Sequence, residues 1–128
     1  MTIFDDLCVS GMQAFGLCET GQYDDAGRAA LKGLELDRGD AWSTHANAHV
    51  YEMTSRSDDG IAFLSKTVED WQPAGLLSCH NFWHWAVFHV ENVETEAALD
   101  LFDSEVVIAS ASLSFPYFSN FQNQEASN

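Results

Sequence analysis

With 128 residues the chain has room for one small domain, and 46% apolar residues are enough to give it a core. Five basic residues against twenty acidic ones leave a net charge of −15. That balance excludes nucleic acid or an anionic membrane as the main partner, because both need a basic footprint.

No apolar run approaches the ~18 residues a membrane span needs. The opening MTIFDDLC carries acids where a secretory leader is basic. Cys8, Cys18 and Cys79 are odd in number and form no CxxC pair, so they read as buried, reduced thiols of a cytoplasmic protein.

Helical signals follow one another along the chain. The first helix is predicted over 5–19 and the second over 22–37, with Gly21 and Gly39 placed at helix ends, where positive φ is needed. The third, over 41–54, has Asp40 as its N-cap, and the fourth, over 58–70, has Ser57. The acidic pairs Asp24-Asp25 and Asp58-Asp59 suit the positive ends of the second and fourth helix dipoles. Pro73 and Gly75 mark a loop, and the fifth and sixth helices are predicted over 76–91 and 95–108. Residues 109–128 lack helical periodicity and are expected to form a disordered or loosely packed tail. Phe115, Tyr117, Phe118 and Phe121 would be a sticky segment within it.

The helices pair into a repeat. Ala26 to Gly60 spans 34 residues and Gly60 to Ala98 spans 38. Small residues in the preceding helices give the same two spacings, from Ala14 to Ala48 and from Ala48 to Ala86. A 34-residue period is the tetratricopeptide length, in which small residues let helices approach and large ones fill the groove between them. The expected fold is therefore all-α: a tetratricopeptide-like solenoid of about three helix pairs over 1–108 (5–37, 41–70 and 76–108), followed by the tail.

At HANAHVYEM, GIAFLSKTVEDW, CHNFWHWAVFHVEN and EAALDLFD the chain resembles the tetratricopeptide repeat protein 38 family, over roughly residues 5 to 104. His45, His49, Glu52, Met53, His80, Asn81, Trp83, His84 and His89 fall on that family's motif positions, as do Gly60, Phe63, Leu64 and Trp71. The resemblance implies stacked helix pairs and brings no reaction with it. Members of the family are longer, so the chain is expected to be a fragment or shortened form of a larger solenoid. Its exposed repeat ends would meet the rest of that solenoid or a second copy.

The histidines carry the functional reading. HANAH and HNFWH each place two histidines four residues apart, on one helical face. Trp42, His45, His49 and Glu52 form one stripe, and His80 and Trp83 lie on the matching stripe of the fifth helix. These six residues are expected to line a concave groove that binds a protein, a peptide or a small ligand, making the chain a binding scaffold.

The alternative is a metal-dependent or histidine-based enzyme site in the same groove. His45, His49, His80 and Glu52 would then hold zinc or another divalent ion. HANAH has no glutamate inside the motif, so HExxH protease machinery is absent. The two histidine pairs are offset by 35 residues where the repeat there is 38, a rotation of about 60° on a helix. His84 is therefore expected to turn toward a helix interface and leave the set. His89, Trp71 and Trp85 are read as packing residues.

Overall fold

A computed structural model describes residues 3–108 and Ala111, with side chains from Val9 onward. The predicted tail, including its aromatic segment, and Cys8 lie outside these described side chains. Six helices follow in chain order: α1 (Ile3–Glu19), α2 (Tyr23–Leu36), α3 (Ala41–Met53), α4 (Ser57–Trp71), α5 (Leu76–Glu91) and α6 (Thr95–Leu101). A π-helical turn over Phe102–Val106 continues α6. Among the described residues there is no strand. None of the helices described is long and apolar enough to cross a membrane.

Helix starts and stops have local causes. The Asp40 carboxylate accepts from the Trp42 backbone N–H and from the Ser43 hydroxyl, capping α3 as its sequence position predicts. Ser57 does not cap α4. Arg56 holds that position without a side-chain bond, and the Ser57 hydroxyl instead donates to Glu91 on α5. Gly21 and Gly75 have positive φ. Gly39 does not need it, because its N–H is held by the Asp37 side chain at 2.9 Å.

The odd-numbered helices end in one and the same turn. After α1, Gln22 N–H bonds back to Leu17 and Gly21 N–H to Cys18. After α3, Arg56 bonds to Tyr51 and Ser55 to Glu52, and after α5, Glu94 bonds to His89 and Val93 to Val90. This is the double-bonded Schellman closure, whose pivotal residue is left-handed. Gly21, Ser55 and Val93 take that position with φ of 78°, 55° and 62°. They stand 34 and 38 residues apart, the spacings seen in the small residues.

Packing follows chain order. Helix α1 packs on α2 and α3, α3 on α2, α4 and α5, and α5 on α4, α6 and the π-helical turn. Even-numbered helices meet only odd-numbered ones and that turn, an arrangement compatible with an α-solenoid. Every small landmark residue is buried: Ala14, Ala26, Ala48, Gly60, Ala86 and Ala98. Gly60 shows why size matters, since a Cβ there would stand 2.4 Å from the Phe88 ring of α5. The largest buried side chains, Trp71, Phe88 and Leu64, join Phe82 in the core between α4 and α5.

Candidate metal centre

Helices α3 and α5 touch along their length, and that contact brings four imidazoles together. His45 and His49 project from α3, His80 and His84 from α5. One ligand-capable nitrogen of each lies within 4.8 Å of the other three. Ring centroids are 4.9 Å apart for His45–His80, 5.3 Å for His45–His84 and 4.4 Å for His49–His84. Within each helix the paired rings stand edge to face at 4.5 and 4.7 Å.

His84 is therefore part of the set, against the expectation that it leaves. It does lie between helices, only 1% exposed, but the whole cluster sits at that interface. His45 is also buried, His49 half-buried and His80 exposed, so the group opens to solvent on the His80 side.

Glu52 stands behind two of these rings. Its Oε2 is 3.3 Å from Nδ1 of His84 and 3.8 Å from Nδ1 of His49. On its other side His49 faces His45, Nε2 to Nε2, at 3.0 Å. A carboxylate on the Nδ1 side, with Nε2 directed into the cluster, is the outer-shell arrangement that orients metal-binding histidines. Glu52 thus takes an orienting place, and the fourth ligand-capable group is His84.

The electrostatics favour neutral rings. Burial, reinforced by the charges of His49 and His80, pushes His45 down to about 3. Burial and the other three histidines push His84 down to about 2. His49 is lowered by burial against the pull of Glu19, and His80 by burial and by His49 against the pull of Glu52. Neutral imidazole is the form that binds metal. Glu52 is raised, first by burial and then by Glu91, while His80 opposes the shift.

Hydrogen bonding leaves the same atoms wanting. His45 Nδ1, both nitrogens of His84 and Glu52 Oε2 are buried without a hydrogen-bond partner in the protein. The His84–Glu52 approach is close but not aligned as a bond. Unpaired buried polar atoms cost about 1–3 kcal/mol each, and several at one point is the pattern a bound ion relieves. A tetrahedral zinc with bonds near 2.0–2.1 Å needs nitrogens about 3.3 Å apart. Side-chain adjustment of about an ångström closes the cluster to that size.

The six groove residues predicted from sequence divide into two adjoining places. His45, His49 and Glu52 belong to the cluster. Trp42 and Trp83, 44% and 40% exposed, border a cavity of about 640 Å³ beside it. His80 belongs to both: it completes the cluster, stacks on Trp83 at 5.4 Å and lines the cavity. Leu76, Leu77, Cys79 and Val106 make the rest of the wall largely apolar. Leu76, His80 and Trp83 follow helical spacing and were legible as a stripe. Val106 reaches the wall from the π-helical turn, for which the sequence offered no signal.

The packing residues have partners of their own. His89 lies 2.5 Å from Glu94, Trp71 is fully buried, and Trp85 stacks on Phe82. Cys18 and Cys79 are free and buried. Neither models of known protein families nor solved structures give a match to this chain.

Proposed function

We propose that this protein is a tetratricopeptide-like helical module built around a divalent-metal centre, with His45, His49, His80 and His84 as ligands and Glu52 as the residue that orients them. One observation carries the reading: four imidazoles from two helices, lowered in basicity, converge within 4.8 Å. Zinc fits the all-nitrogen donor set, and nickel or copper are the competing ions of the same chemistry. The recurring Schellman turns, with their 34- and 38-residue spacing, support the repeat reading and the resemblance to the tetratricopeptide repeat protein 38 family. A cytoplasmic location accords with free thiols at Cys18 and Cys79.

The sequence ranked a plain binding groove first. The fourth imidazole reverses that order. The groove stands as the second reading, supported by the cavity that Trp42, His80 and Trp83 line, and it would make the chain a scaffold for a peptide or small ligand. No reaction is assigned. Glu52 lies on the Nδ1 side of the rings, not beside the solvent-facing edge where a general base would work.

The test is metal titration of tag-free, chelator-stripped protein by calorimetry. One equivalent of Zn²⁺ is expected to bind. His45→Gln and His84→Gln are expected to abolish stoichiometric binding with the helical circular dichroism retained. Glu52→Gln is expected to weaken binding by about 10–100-fold, the usual effect of losing an orienting partner. Wild-type protein that takes up no stoichiometric Zn²⁺, Ni²⁺ or Cu²⁺ refutes the metal centre.

A further inference from the structure

Resting on the metal reading above, we infer that the cavity beside His80 is the binding site of a small monocarboxylate with an apolar body, whose carboxylate reaches the metal from the solvent side and whose body lies between Trp42 and Trp83.

Charge gives the head group. A divalent ion held by four neutral imidazoles carries two positive charges, and Glu52 balances one of them. The remainder lies at an interface where His45 and His84 are almost fully buried, and an uncompensated charge there is costly. A single added carboxylate neutralises it. The chain's net charge of −15 opposes a polyanion, so phosphate esters and nucleotides are excluded while a monoanion is tolerated.

The route and the body follow from the walls. His80 is the exposed member of the cluster and also lines the cavity, so a molecule lying there meets the metal at its accessible edge. The wall around it is apolar: Trp42 from α3, Leu76, Leu77 and Trp83 from α5, and Val106 from the π-helical turn. About 640 Å³ falls within the range of pockets that enclose small organic ligands. Trp83 stacks on His80 with ring planes 10° apart, and Trp42 meets His45 edge-on at 5.6 Å, so both indoles connect the cavity to the ligand set. π-Helical turns occur often at functional sites, and here one supplies a wall residue.

The test uses Co²⁺-loaded protein with 4-phenylbutyrate as probe. Its amide, 4-phenylbutyramide, keeps the body without the charge, and acetate keeps the head without the body. Visible absorption reports the cobalt shell, and indole fluorescence reports Trp42 and Trp83. Phenylbutyrate is expected to change both signals and to bind at least tenfold more tightly than either control. Leu76→Asp, at a position 71% exposed and thus safe for folding, is expected to weaken it at least tenfold while cobalt uptake is unchanged. If cobalt binds but phenylbutyrate does no better than its amide and acetate, or if Leu76→Asp has no effect, the inference is overturned and the metal centre stands. If cobalt does not bind, the metal reading falls and takes the inference with it.

Discussion

Acidification from pH 7 to pH 5 should destabilise the metal-free protein steeply, and the size of the effect follows from two side chains. His45 and His84 are held neutral in the fold, at about 3 and about 2. In the unfolded chain each titrates near its ordinary ~6.5. Between those values the unfolded state binds more protons, so stability is fully present above about pH 6.5 and is lost as the pH falls below it. At pH 5 each histidine costs about 2 kcal/mol by this linkage, and the pair about 4 kcal/mol. Glu52 works in the opposite sense. Its raised folded pKa means that protonation favours the fold, but only at lower pH, where ordinary glutamates also titrate.

A loss of about 4 kcal/mol is a large part of the 5–15 kcal/mol that domains possess. With a urea dependence near ~2 kcal/mol per M, the unfolding midpoint should fall by about 2 M between pH 7 and pH 5. The assay is urea denaturation with chelator at pH 7, 6 and 5, followed by far-ultraviolet circular dichroism. His45→Gln/His84→Gln should flatten the dependence. A wild-type midpoint that is level across this range would refute the claim that these imidazoles are buried and neutral.

Three other outcomes are expected. Zinc uptake at pH 7 should release fewer than about one proton, because the ligands are already deprotonated; calorimetry in buffers of different ionisation enthalpy measures this. Gly60→Ala should destabilise by about 1–3 kcal/mol, since the clash with Phe88 outweighs the ~1 kcal/mol gain in helix propensity; the urea midpoint decides the sign. Val93→Gly should stabilise by about 1 kcal/mol, because a β-branched residue at φ 62° is strained where glycine is not; thermal unfolding of the variant checks it.

The helices were readable because their signals are local. Asp40, Gly21 and Gly75 act within a turn of where they stand, and α3 and α5 begin where the sequence places them. Ser57 misled because a hydroxyl at a helix start serves either its own backbone or a neighbouring helix, and here Glu91 on α5 takes it. His84 misled for a different reason. Its 60° offset correctly placed it toward a helix interface, but the interface itself carries the cluster. Which surface of α5 meets α3 is settled by packing across both helices, not by register within one. Val106 was out of reach altogether, since a π-helical turn changes the direction of every side chain after it, and nothing in FDSEV announces one.

The cluster draws two rings from α3 and two from α5, and none from α1, α2, α4 or α6. A chain of helices that touch only their neighbours frays from its ends, each unit opening by its own small increment. An ion held between α3 and α5 would fasten the second and third units across the 35 residues from His45 to His80, leaving α1 and α2 the part that opens alone. The molecule would then exchange its amide hydrogens at two rates, slowly on the fastened side and quickly on the other, and a chelator would merge the two.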